Sequence, residues 1–169
     1  MDVLFTPWRY PYIAGQRESA AGCFLCEAAA APDDAERLVV HVGVHHVVVL
    51  NRHPYNNGHL MVAPRMHVAS PAAAEPAARA EAWPMVLLCQ RVLEMAYAPH
   101  GINVGMNLGR VAGAGVPGHY HVHLVPRWEG DTNFMTVTAD TRVVPEDLHQ
   151  TRDRLRPLFA ELAASEKAS

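Results

Sequence analysis

Histidines occupy alternate places in Gly118-His119-Tyr120-His121-Val122-His123-Leu124-Val125-Pro126-Arg127-Trp128, and this pattern constrains the fold more than any other part of the chain. In an extended strand successive side chains point to opposite faces and rise about 3.3 Å per residue, so His119, His121 and His123 line one face, neighbours about 6.6 Å apart. Tyr120, Val122 and Leu124 point the other way and suit a core. Three imidazoles in a row are costly to bury, and three ordinary surface histidines on so apolar a strand have no stability rationale. The spacing therefore predicts a functional strand. Imidazole offers two chemistries near neutral pH: metal ligation, or nucleophilic and acid–base work on a substrate.

The flanking sequence supplies a sheet for that strand. Leu38–Val42 and Val44–Leu50 are β-branched runs separated by Gly43, the pattern of two adjacent antiparallel strands. Asn51–Gly58 is turn chemistry, and His59–Ala63 resumes as a third strand before Pro64. Ser70-Pro71 suits a helix start, Ser as N-cap and Pro in the first turn. From there to Ala98, Val86, Cys89, Leu93 and Ala96–Tyr97 recur at helical spacing. Pro84 lies inside this stretch and predicts a break into two helical pieces. Ile102–Asn107 and His119–Pro126 read as further strands, Phe134–Thr138 as a last short one, and Pro145 to Ala163 as a C-terminal helix. Residues 28–35 read as a short helix end or loop. The order predicts an α+β fold, five or six antiparallel strands with a long helix and a C-terminal helix. No glycine-rich loop of the dinucleotide or P-loop type opens a helix.

At 169 residues the chain suits one domain over 1–169, with 1–35 as an N-terminal segment and 129–169 as a C-terminal extension. No apolar run approaches the roughly 20 residues of a bilayer span, and Met1–Arg9 lacks the features of a signal peptide. Three cysteines are too few for a disulfide scaffold and fit a reducing compartment. A cytoplasmic protein without membrane association is expected. The net charge of −3 argues against nucleic-acid binding, which needs a dense basic surface, but allows a local phosphate pocket.

Cys23-Phe24-Leu25-Cys26 has the C-x-x-C spacing that lets two thiolates share a tetrahedral ion. Taken alone it fits a redox pair or two packed thiols equally well.

The triad segment resembles the motif of the histidine triad (HIT) superfamily, His-φ-His-φ-His-φ-φ with φ hydrophobic, at every position, and Pro126-Arg127 agrees. The resemblance continues through Leu50–Pro54, Gly58-His59-Leu60, Pro64–Val68, Asn103–Gly109, Ala112–Gly115 and Trp128–Met135. With the Trp8-Arg9-Tyr10 start, these blocks are similar to the bacterial branch that includes diadenosine tetraphosphate phosphorylases. Gly118 and Tyr120 depart from that branch, where Leu is typical at the second place.

The resemblance implies that His121 attacks the α-phosphorus of a nucleotide, giving a nucleotidyl-imidazole that an acceptor resolves. It puts His123 on the leaving-group side as donor or acid, and His119 as the third member of the catalytic set. Asn107 would donate to phosphate oxygens and Asn51 would lie near the ribose, although Asn in turns often only forms the turn. His53 and His59 flank the turn, and His59 has the stronger claim to line the pocket. Gly113 and Gly115 offer backbone N–H groups for a phosphate tail or orthophosphate, or form a plain flexible loop. Some relatives complete a Cys pair with two histidines, which fall here on His67 and His119. A Cys23, Cys26, His67 and His119 set would hold a structural zinc, with a metal-free site as the rival. No organic cofactor is implied. The expected partners are a nucleotide, orthophosphate and, by analogy alone, a second copy in a homodimer.

The activity the resemblance implies is nucleotidyl transfer from a dinucleoside polyphosphate, foremost phosphorolysis of diadenosine tetraphosphate to ATP and ADP. The alternatives are a hydrolase of dinucleoside polyphosphates or nucleoside phosphoramidates, and a non-catalytic nucleotide- or zinc-binding module. His41, His45 and His46 read as sheet-face residues, His100 and His149 as surface, and Cys89 as core.

Overall fold

A computed structural model describes residues 22–131 and 146–167. Strands β1 (Val39–Val42), β2 (His46–Leu50), β3 (Leu60–Pro64), β4 (Gly101–Gly105) and β5 (Val122–Arg127) form one sheet in the order β1-β2-β3-β5-β4. Every neighbouring pair is antiparallel. The β-branched runs thus pair as their composition predicts. At Gly43, in the β1–β2 turn, the ends of the Met85 and Glu81 side chains lie against the backbone, 2.5 and 2.8 Å from where a Cβ would stand. Gly58 closes the next turn at φ +71 with Tyr97 and Leu93 directly against it, a place where a side chain would be strained twice over.

The fold is α+β with five antiparallel strands among the described residues. The strand expected at Phe134–Thr138 lies outside them. The strand expected over His119–Pro126 joins the ladder only at Val122. Continuing the β3–β5 register of Leu60↔Leu124 and Val62↔Val122 would set Pro64 opposite Tyr120, and proline has no N–H to offer a ladder. The backbone N–H of Tyr120 donates instead to the Val68 carbonyl at 2.8 Å, and that of His119 to Val116 at 3.2 Å.

Helix α1 (Phe24–Ala30) has Cys23 as its N-cap, so the C-x-x-C pair spans its first turn. Ser70-Pro71 opens a single 3-10 turn, Pro71–Ala73, and not the long helix, which starts at Pro76. That helix, α2 (Pro76–Tyr97), runs unbroken through Pro84, contrary to the expected division. Pro84 is exposed, so water can satisfy the carbonyl whose hydrogen bond it removes. Its cost of about 3 kcal/mol is outweighed by burial of Met85, Val86, Leu88, Val92 and Leu93, each contributing about 1.5–3 kcal/mol. Helix α3 (Leu148–Lys167) is the C-terminal helix, shifted three to four residues from the expected span.

Helices α2 and α3 cover one face of the sheet, over Val48, Leu50, Leu60, Val62, Val122 and Leu124. Helix α1 and Val116 pack on the other, over Val47, Val49, Met61 and Ala63. Met61 lies beside His123 in the ladder, so His123 belongs to this second face. No helix among the described residues is long and apolar enough to cross a membrane.

Candidate active site

Two polar clusters occupy the second face, and the triad segment contributes to both. The first is built around His121 and His123. Their rings meet edge to face with centroids 4.7 Å apart, and His59 lies 5.1 Å beyond His123. His59 stands at the start of β3 and is buried, while His123 is half-buried on β5.

The hydrogen bonds fix which ring nitrogens carry protons. Nδ1 of His59 receives the Tyr55 backbone N–H at 3.1 Å and faces the Asn51 side-chain amide at 3.4 Å. An atom facing two donors holds a lone pair, so the His59 proton sits on Nε2. Nε2 is 3.0 Å from His123 Nδ1, which must then accept, leaving the His123 proton on its own Nε2. His121 has the opposite tautomer. Its Nδ1 is 3.0 Å from the His119 carbonyl, an atom that can only accept, so Nδ1 carries the proton and Nε2 the lone pair. Burial lowers the pKa of His121 below its ordinary 6.5, against the contrary pull of that carbonyl. The ring is neutral at pH 7, with a basic nitrogen available for bonding to an electrophile.

The second cluster is closed. Cys23, Cys26, His67 and His119 bring one donor atom each within 4.8 Å of one another. His119 Nδ1 lies 3.3 Å from Cys23 Sγ and 3.5 Å from Cys26 Sγ, and His67 Nδ1 lies 3.2 Å from Cys26 Sγ. His119 Nε2 donates to the Pro64 carbonyl at 2.7 Å, which turns the lone pair on Nδ1 toward the sulfurs. Burial pushes the His119 pKa down to about 4, the Pro64 bond opposing it. Burial and the adjacent Cys23 thiol push Cys26 up to about 11. Two thiols and two imidazoles at these separations match a tetrahedral ion with bonds of about 2.3 Å to sulfur and 2.0–2.1 Å to nitrogen.

The site residues named from sequence therefore divide. His59, His121 and His123 stand together, and Cys23, Cys26, His67 and His119 stand together. The imidazole of His119 lies among the sulfurs, and only its carbonyl reaches His121. Asn51 touches His59 and also closes its own turn, its Oδ1 accepting the His53 N–H at 2.9 Å. Asn107 donates to the Gly113 carbonyl at 3.4 Å, bracing the loop that carries Gly113 (φ +86) and Gly115. Sequence reasoning missed Tyr55, whose ring lies 4.7 Å from His59 and 6.3 Å from His123. An aromatic residue within a polar turn was its only signal. His46 is a sheet-face residue of β2 as expected, and it is also fully buried and bonded to Glu81, which the sequence did not signal.

The HIT domain family matches residues 34–130, more than half of the chain, and the chain belongs to this family. It is a HIT-family nucleotide-processing enzyme. It is 39% identical over 163 residues to the AP-4-A phosphorylase of Mycobacterium tuberculosis, covering 93% of this chain and 84% of that protein. It is 32% identical over 110 residues to the asymmetrical bis(5'-nucleosyl)-tetraphosphatase of Schizosaccharomyces pombe, covering 65% of this chain and 57% of that protein. Among solved structures, a zinc-bound histidine triad family protein of Mycobacterium smegmatis superposes with a TM-score of 0.68 at 23% identity, covering 87% of this chain and 99% of that one. A hypothetical histidine triad nucleotide-binding protein of Sulfolobus tokodaii gives 0.66 at 25% identity, covering 83% and 93%.

Proposed function

We propose that the protein is a diadenosine tetraphosphate phosphorylase, converting that substrate and orthophosphate to ATP and ADP through a nucleotide carried on His121. One observation carries the chemistry: His121 is buried and neutral, with Nδ1–H held by a carbonyl and the lone pair therefore on Nε2. Similarity along 93% of the chain to an AP-4-A phosphorylase supports the choice of substrate and acceptor.

In the first half-reaction His121 Nε2 bonds to the α-phosphorus as the bridging P–O bond breaks, and ATP departs fully ionised. The positive charge stays on the His121 ring, where the Nδ1–H bond to the His119 carbonyl stabilises it. His123 donates a hydrogen bond from Nε2 to the departing oxygen, and the His59 Nε2–H holds the His123 ring in the tautomer that can donate. In the second half-reaction an orthophosphate oxygen bonds to the same phosphorus, the P–N bond breaks, and ADP leaves with the orthophosphate proton. Gly113 and Gly115 on the loop before the triad, with the Asn107 amide, serve the phosphates; Asn51 serves the ribose side.

Cys23, Cys26, His67 and His119 would hold a structural zinc, and their donor set and spacing support it. Zinc bound there cross-links the start of α1 to the triad segment. His119 then serves both clusters, its ring toward the metal and its carbonyl toward the nucleophile. A homodimer formed along the edge strand β4 is part of this reading, supported by the exposure of Val104 and Met106.

The test is incubation with diadenosine tetraphosphate, with and without orthophosphate, and chromatographic separation of products. ATP plus ADP formed only with orthophosphate is the expected result. AMP plus ATP formed in its absence makes the protein a hydrolase, and no turnover makes it a binding module.

A further inference from the structure

Behind the triad segment, on the face away from His119 and His121, lies a polar chain, buried at His46 and Tyr120 and half-buried at Glu81, that this chemistry does not use. Glu81, on the first half of α2, accepts the backbone N–H groups of Val44 and His45 at 2.7 Å each. The same carboxylate accepts Nδ1–H of His46 at 2.9 Å. Burial tends to raise the pKa of Glu81, yet the bonds from His46, His45 and Val44 outweigh it and hold the carboxyl below its ordinary value. With its proton on Nδ1, His46 presents the Nε2 lone pair, 3.4 Å from the Tyr120 hydroxyl, so the hydroxyl donates. Tyr120 is 2% exposed and His46 fully buried.

Tyr120 sits between the residue that faces the thiols and the residue that carries the lone pair. Residues 119–121 lie outside the sheet ladder, so their position is set by other contacts. In front, the His119 ring bonds to Pro64. Behind, the Tyr120 ring packs on Ala74 and Ala78, its N–H bonds to Val68, and its hydroxyl ends the chain from Glu81. The His119 carbonyl that accepts from His121 belongs to the peptide joining His119 to Tyr120. Any rotation of that peptide moves the acceptor away from His121 Nδ1.

We infer that Tyr120, His46 and Glu81 are positioning residues that hold the 119–120 peptide so that its carbonyl keeps His121 in the single tautomer with Nε2 free. This rests on the reading of His121 as nucleophile. A hydrogen-bond chain that only stabilised the fold would leave the tautomer and turnover of the folded enzyme untouched. A positioning chain acts on both.

Tyr120→Phe removes one oxygen and keeps the packed ring. The full-length protein, labelled with ¹⁵N in its histidines, is compared by NMR with wild type, and kcat and KM are measured on diadenosine tetraphosphate with orthophosphate. Wild type is expected to show His121 protonated at Nδ1 alone. Tyr120→Phe should show a mixture of tautomers, with kcat down about tenfold and KM within about twofold. Glu81→Gln should change both in the same direction, and the double variant should be no worse than the poorer single one, because both break one chain. An unchanged His121 tautomer in both single variants overturns the proposal. So does a kcat within twofold of wild type. A wild-type protein with no turnover defeats the functional reading instead, and the tautomer measurement then decides the positioning role by itself.

Discussion

The two clusters on the outer face of the sheet start from the same residue type and reach different chemistry. His119 and His121 are two residues apart, both buried and both neutral. Nε2 of His119 donates to a carbonyl, so its lone pair on Nδ1 turns to two sulfurs 3.3 and 3.5 Å away. Nδ1 of His121 donates to a carbonyl, so its lone pair is on Nε2, in a ring whose centroid lies 4.7 Å from that of His123. What differs is which nitrogen meets a backbone acceptor. The alternation in sequence puts the rings on one face, and the neighbouring carbonyls of Pro64 and His119 assign their work.

The division predicts that each cluster can be damaged without the other. The largest effect belongs to His121→Ala, which should cut turnover by about 10⁴-fold or more while leaving metal content at the wild-type level. Loss of metal together with activity would mean that the clusters are not separable in this way. His123→Ala removes the donor proposed for the departing phosphate and should lower kcat by about 10²–10³-fold, again at constant metal content.

From the other side, Cys26→Ser should abolish stoichiometric zinc by metal analysis and lower the thermal midpoint by several degrees. Turnover should fall only about tenfold, through the His119 carbonyl that both clusters share. Wild-type turnover with zinc gone would remove that link.

The smallest effect is in the pH profile. In the proposed reaction His121 works in its neutral form, and burial lowers its pKa from 6.5, so protonation needs more acid than an ordinary histidine does. The expected kcat/KM holds its plateau through pH 6.5 and declines only below it. A decline centred above 6.5 would place His121 in a solvated or anionic setting instead.

Period-two residues were the readable part of this protein. The β-branched runs of β1 and β2 and the alternate histidines gave strand position and facing, because side-chain alternation is a property of the strand itself. The boundaries were less readable where tertiary contacts override local rules. Pro84 does not break α2, since Met85 to Leu93 bury themselves against the sheet on either side of a solvated carbonyl. The triad strand starts late, since Pro64 on the neighbouring strand cannot donate to it. Within the site, the Cys23–Cys26 pair showed in its spacing, but His67 and His119 joined it only through resemblance to relatives, as nothing local joins Cys23 to residues 44 and 96 places further on. Tyr55 and the Glu81–His46–Tyr120 chain left almost no sequence signal, since their meaning depends on which groups the fold brings opposite them.

The most direct test is to trap the covalent intermediate. The enzyme is mixed with diadenosine tetraphosphate in the absence of orthophosphate, quenched in alkali to preserve a phosphoramidate, digested, and mapped by mass spectrometry. The account predicts one adenylate on the peptide holding residues 119–123, attached to His121 and absent from His121→Ala. An enzyme that turns over substrate with its adenylate on another residue, or with none at any quench time, would contradict it.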